Sequence, residues 1–311
     1  MLKASPALRG FSIPGLQKRI LVSLFADDTA LYLSEHDRYD TVQDILDRWC
    51  LASGAKFNIN KTEIIPIGSE THRQQVIATR KINANDSTPL AEGIRIAKDR
   101  ESTRYLGAWI GNLVDNTGQW EITLDKVKQD FDRWEMTHPT LEGKRLIVQM
   151  SAGGRTQFAT KVQGMPTHIE NALQKLIRNF LWGEHRSPPI SLDHLYRPRC
   201  EGGLSLLDIK TRNEAIHITW LRSYLDLTPQ RPKWAFITDI LINLVTPNTV
   251  NDLATLNTFL QTWSPPLTGK NSKVLSRDIL DMLKTARKYN TSFAALKLTR
   301  SLQLQMPAWY H

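Results

Sequence analysis

Two adjacent carboxylates stand out as residues able to do chemistry. Asp27 and Asp28 follow Phe25-Ala26, between the apolar runs Ile20 to Phe25 and Thr29 to Leu33. Acids at a rigid strand turn suit Mg²⁺, which takes one or two carboxylates and leaves its other positions to water and substrate phosphates. Two such ions about 3.5–4 Å apart can activate an attacking hydroxyl and neutralise charge at a phosphorus. An isolated Ala-Asp-Asp is ordinarily a solvated hairpin turn. Neighbours on a strand also point to opposite faces, so both acids serve one site only if the turn reorients them.

The surrounding pattern supplies the elements that must hold the pair. The two apolar runs, rich in β-branched and aromatic residues, predict a β-hairpin with the acids at its turn. Asp37 to Ser53 predicts an amphipathic helix, with Val42, Ile45, Leu46, Trp49 and Cys50 at helical spacing and Gly54 as its stop. Residues 54–68 return to strand character, and residues 69–102 read as polar and irregular. Tyr105 to Gly111 forms a short apolar segment bounded by glycine.

Beyond residue 115 the period changes. Trp120, Leu124, Val127, Phe131 and Trp134 form one apolar helical stripe, which reads as core. Gly143 to Lys161 predicts a helix interrupted near Gly153-Gly154. His168 to Trp182 predicts a helix with Ala172, Leu173, Leu176, Ile177, Phe180 and Leu181 on one face. Residues 183–203 read as loop, and Lys210 to Leu225 as another helix. After Pro229 the pattern is helical but weak, broken by Pro247, Pro265 and Pro266.

Composition narrows the class. The chain has 311 residues, 41% hydrophobic and 23% charged, room for two or three modest domains. No apolar run reaches the roughly 18 residues of a membrane span, and no partner membrane is expected. Only Cys50 and Cys200 are present, outside any Cys-x-x-Cys pair, which excludes a disulfide scaffold and fits an intracellular setting. The net charge of +9 suits a polyanionic partner, and residues 224–311 carry ten basic against five acidic residues, over half of the excess.

Six strings in unbroken order over about residues 8–225 resemble non-LTR (LINE-type) retrotransposon reverse transcriptases. LVSLFADDTALYL resembles the palm motif that carries two of the family's three metal-binding aspartates. WCLASGAKFNINKTEIIPIG is similar to the next palm motif, through Gly54, Asn58 and Lys61. YLGAWIG resembles the primer grip. GKRLIVQMSAGGRTQFATK with IRNFLWGE, and then EGGLSLLDIKTRNEAIHITWL, are similar to the thumb and the segment after it.

The resemblance implies an α+β fold: a partial palm at residues 1–115 with a hairpin, short strands and a packed helix, then an all-α thumb and post-thumb at 116–225, and a helical tail of unknown role at 226–311. It implies RNA-directed DNA synthesis with two Mg²⁺ ions, an RNA template and a DNA primer as partners, and a nuclear location. Asp27 and Asp28 become metal ligands. Lys61 becomes a candidate general acid for the pyrophosphate leaving group, or a solvated turn lysine. Tyr105, Leu106 and Gly107 position the primer end, although Gly107 and Gly111 read equally as turn residues. Lys126, Lys128, Arg133, Lys175 and Arg178 are candidates for nucleic-acid backbone contact, or ordinary solvated charges.

One element of that family is missing from these residues. The third carboxylate belongs on a strand well upstream of the hairpin, yet residues 1–26 contain no Asp or Glu. The expectation is a fragment that does not polymerise alone, with a non-catalytic nucleic-acid-binding remnant as the alternative. A helical interaction protein with no nucleic-acid role is the third reading.

Overall fold

The computed structural model describes residues 1–183, 188–226, 228–245, 267–269 and 274–289. The chain mixes α and β structure and divides into two compact units, Met1–Asp115 and Asn116–His311. Among the described residues every strand lies in the first unit, in three two-stranded sheets.

The first unit begins with the hairpin. Strand β1 (Val22–Phe25) pairs antiparallel with β2 (Asp28–Leu31) in the register Val22↔Leu31, and Ile20, just before β1, forms an isolated antiparallel bridge with Phe11. Helix α1 (Tyr39–Ser53) covers one side of it. Leu8, Leu21, Val42 and Ile45 are buried together there, with Leu31, Leu33 and Leu46 at the margin. Each large side chain so buried contributes about 1.5–3 kcal/mol.

Helix α1 starts at Tyr39, not at Asp37, and the reason is a competing use of that carboxylate. Asp37 is fully buried and accepts hydrogen bonds from the amides of Arg9, Gly10 and Ser34 and from the Ser34 hydroxyl. The exposed amide end of the helix is met instead by Asp86, which accepts from the Tyr39 amide at 3.0 Å. Asp40 accepts from the Ser87 amide and hydroxyl and then from Arg38, which together hold its pKa down to about 2. At the other end Gly54 adopts φ 71°, ψ 0° and its amide closes on the Cys50 carbonyl, as its position just past the periodic run predicts.

Two expectations for residues 54–102 need correction. Strand structure in 54–68 shrinks to β3 (Glu63–Ile64), paired parallel with β4 (Arg95–Ile96). Residues 69–102 are not irregular throughout: Ser69 caps α2 (Glu70–Thr79) by accepting the His72 amide. That helix buries only Val76 along its length, so its periodicity is faint in the sequence. It closes a second small core with Leu90, Ile94 and Ile96. Strands β5 (Thr103–Tyr105) and β6 (Ala108–Ile110) form the last hairpin.

The second unit is helical. Helix α3 (Thr117–Glu135) buries Trp120, Val127 and Phe131, while Trp134 at the end of the stripe stays partly exposed. Helices α4 (Leu141–Val148) and α5 (Gly154–Gln163) are one continuous rod, joined by a π-helical turn over Gln149–Gly153. The predicted interruption at Gly153-Gly154 is thus a widened turn, and a Cβ on Gly153 would sit 2.9 Å from Leu207. Helix α6 (Thr167–Trp182) buries Leu173, Ile177, Phe180 and Leu181, with Phe180 stacked on Phe131 at 4.4 Å.

A short helix α7 (Leu192–Tyr196) lies within the predicted loop. Helix α8 (Ile209–Tyr224) belongs to two cores: Ile209 sits in that of α3–α6, while Leu221 and Tyr224 join α9 (Lys233–Asn243) and α10 (Arg277–Lys288). Pro247, Pro265 and Pro266 lie outside the described residues. No helix among the described residues is long and apolar enough to cross a membrane.

Candidate functional site

The hairpin register decides where the two acids go. Phe25 pairs with Asp28, so the loop is only Ala26-Asp27. Ala26 takes φ 51°, a left-handed conformation that costs an L-residue about 1–2 kcal/mol. Asp27 therefore lies in the loop and Asp28 opens β2. Strand alternation does not force them apart, because only one of the two is in a strand. Both are exposed, and so are Leu24 (69%) and Phe25 (63%) on the strand before them.

Two carboxylates at one tip can supply part of a Mg²⁺ shell, with water and phosphate oxygens completing it. A two-metal site needs further bridging ligands. Among the described residues no group of three or more His, Cys, Asp or Glu is placed to hold a metal ion. The donor set thus fits a partial site.

Tyr32, which the motif reading passed over, continues the strand that Asp28 opens. Its amide donates to the Leu21 carbonyl at 2.9 Å, continuing the ladder past Leu31. Alternation then puts Asp28, Ala30 and Tyr32 on one face of the strand. Burial, and after it the neighbouring Tyr105 phenol, raises the Tyr32 pKa above its ordinary value. The period-two spacing from Asp28 to Tyr32 is the signal by which it was findable.

At β5–β6, Leu106 (φ 47°) and Gly107 (φ 83°) form a two-residue turn with both residues left-handed, the type I′ geometry that matches strand twist. Gly107 has a conformational reason to be glycine. Gly111 has a packing one, since a Cβ would stand 2.4 Å from the Glu101 carbonyl oxygen. Tyr105 pairs with Ala108 at the base of the turn, and Arg104 lies 5.9 Å from the Trp109 ring centre.

Lys61 is on a separate element, the exposed turn Ile59–Lys61 between α1 and β3. Of the second-unit cations, Lys126, Lys128 and Arg133 lie on α3, and Lys175 and Arg178 on α6. Lys126 and Arg133, seven apart, share one flank of α3 while Lys128 falls on the other. Lys175 and Arg178 sit one turn apart on α6, the first exposed and the second half-buried. The five therefore form more than one surface.

No family model matches the chain, and no curated protein matches it.

Proposed function

We propose that the chain carries the aspartate hairpin, primer-grip hairpin and thumb of a LINE-type retrotransposon reverse transcriptase, an RNA-directed DNA polymerase acting in the nucleus on an RNA template and a DNA primer. The observation that carries this reading is the two-residue turn at Ala26-Asp27, which holds Asp27 and Asp28 exposed at a hairpin tip braced by α1. Met1–Asp115 is then the partial palm, α3 to α8 the thumb and post-thumb.

In this reading Asp27 is the principal metal ligand and Asp28 stands beside it. Bound Mg²⁺ supplies activation of the primer 3′-hydroxyl and neutralises charge on the triphosphate. The chain's own groups position and discharge the substrate: Tyr105 to Gly107 hold the primer end, and Lys61 protonates the departing pyrophosphate. Two carboxylates do not complete the site, so the 311 residues alone do not polymerise.

The test is Mg²⁺-dependent primer extension on an RNA template. The chain alone should give none. Fused to a family fingers-and-palm segment bearing a third carboxylate, it should extend, and Asp27→Ala should abolish extension. No extension by a correctly folded fusion would remove the reading. The second reading, a non-catalytic nucleic-acid binder, draws on the incomplete donor set and the exposed lysines of α3 and α6. It predicts salt-dependent binding that Asp27→Ala leaves unchanged and no extension by the fusion.

A further inference from the structure

The outer face of the rod formed by α4, the π turn and α5 is built in a way that the chain's own packing does not explain. Leu146, Met150 and Phe158 on that face are each more than half exposed, and Val162 is 37% exposed. With Gly154 they form one row of residues spaced four apart. Such a row drifts by about 40° per step in an α-helix and would wind off the face. The wider π turn at Gln149–Gly153 takes up part of that drift in the middle of the row.

Gly154 is the residue that needs a reason. It is exposed, its φ of −61° is helical, and a Cβ on it would meet nothing within 4 Å. Gly153 beside it differs, since a Cβ there would press on Leu207. Glycine inside a helix is destabilising, and among the described residues neither backbone conformation nor contact asks for it at 154. Close approach by another backbone does.

We infer that this face pairs with the same face of a second copy of the chain, antiparallel, about a twofold axis through Gly154. A twofold interface must be self-complementary, and this row is symmetric about its glycine. Met150 and Phe158 lie four residues to either side of it, Leu146 and Val162 eight. Antiparallel pairing sets Met150 of each copy against Phe158 of the other, a favourable sulfur–ring contact, and Leu146 against Val162. The two glycines at the axis let the backbones come close. Gln149 and Gln157 border the row on one side, where Gln149 of one copy comes level with Gln157 of the other. The Gln149 oxygen accepts from Arg145 at 3.4 Å, and its NH2 group is the donor for the facing Gln157.

Charge favours a like partner over a charged one. Residues 143–169 contain no Asp or Glu, and three of the rod's four cations are already neutralised. Lys144 pairs with Glu135 at 2.8 Å, Arg145 with Glu142 at 2.8 Å and Arg155 with Asp130 at 2.7 Å. Lys161 falls toward the ends of the pair, remote from its counterpart. The row spans about 25 Å. Two copies would bury on the order of 1,000 Å² in all, the lower limit for a specific interface.

The inference does not rest on the polymerase reading. The test is sedimentation equilibrium of the full chain, freed of nucleic acid. A reversible dimer is expected, with a dissociation constant on the order of 10 µM for so small an interface. Each copy carries a net charge of +9, so the dimer should hold or tighten as salt is raised. Met150→Lys or Phe158→Glu alone should weaken it by about tenfold or more. Mixing the two single variants, or placing both changes in one chain, should restore most of it. The pairing sets the introduced lysine of one copy against the introduced glutamate of the other, whereas within a chain they stand about 12 Å apart. Gly154→Leu should weaken the dimer while the monomer melts no lower, because leucine is the better helix former. A parent that stays monomeric well above that concentration would overturn the inference, leaving the face to some other occupant. So would an association that dissolves in salt, that these variants leave unchanged, or that the charge pair does not restore.

Discussion

The Asp37 carboxylate accepts the Gly10 amide at 2.8 Å from a position 27 residues away, and through that bond the chain before the hairpin is tied to the chain after it. Gly10 has no room to be anything else, because a Cβ would stand 2.5 Å from the Ile20 carbonyl oxygen. The base of the aspartate hairpin is thus held by a fully buried acid. Asp37→Ala leaves the amides of Arg9, Gly10 and Ser34 without this acceptor. A loss of about 2–4 kcal/mol is expected, read as a lower urea midpoint, since hydrogen bonds to a charged group contribute about 1.5–3 kcal/mol and orphaned buried donors add to the cost.

The same carboxylate sets a pH dependence. Burial alone pushes the Asp37 pKa up, but the amides of Arg9, Ser34 and Gly10 and the Ser34 hydroxyl outweigh it and hold the value below that of an ordinary carboxylate. A folded-state pKa below the unfolded one contributes stability that is complete above the unfolded value, about 3.9, and is lost as pH falls through the folded value. Thermal melts of the chain should therefore show a stability loss below about pH 4. In Asp37→Asn that acid-dependent part should shrink.

Leu106 offers a stabilising change with a functional readout. It occupies the first position of a turn whose two residues are both left-handed, where Asn is strongly preferred. Leu106→Asn should raise stability by about 0.5–1 kcal/mol, because its side chain is partly exposed and little packing is lost. If the turn also grips a primer, the fused polymerase should melt higher yet extend more slowly. A higher melting temperature with unaltered extension would leave the turn with a structural role only.

The stacked pair in the second unit should behave as core. Phe131 and Phe180 are buried at 4.4 Å, and Phe131→Ala should cost about 3–5 kcal/mol. Near-native stability of that variant would contradict the packing of α3 on α6.

The cations of α3 and α6 separate two uses of charge. Where Lys126 and Arg133 on their shared flank meet phosphates, replacing both with Gln should lower the salt slope of duplex binding by about 1.8, near 0.9 for each contact. Lys128→Gln, on the other flank, should leave that slope alone.

Much of the architecture was legible because it follows from local periodicity. The stripe of α3 buries Trp120, Val127 and Phe131 though not Trp134, and α6 buries Leu173, Ile177, Phe180 and Leu181, whereas the two runs around Asp27-Asp28 form the predicted hairpin but bury only Leu21. Gly54 was readable as a helix stop for the same reason, since only a left-handed position wants glycine there. Helix α2 was not legible: with one buried side chain, Val76, it shows almost no apolar rhythm, and its cap at Ser69 is a single hydrogen bond. The start of α1 was misjudged because the role of Asp37 depends on partners 27 and 28 residues earlier.

By itself the sequence determined the elements that repeat with the period of a helix or a strand, and it placed two carboxylates between two strands. Local chemistry is enough for that. Only the tertiary structure decided that Asp27 sits in a two-residue loop with Asp28 opening the next strand, and that Trp49 is met by Phe57 across Gly54. Those relationships depend on register, on a left-handed backbone at single residues, and on packing between segments distant in the chain. Residue spacing carries none of these, because each is selected by the free energy of the whole packed unit.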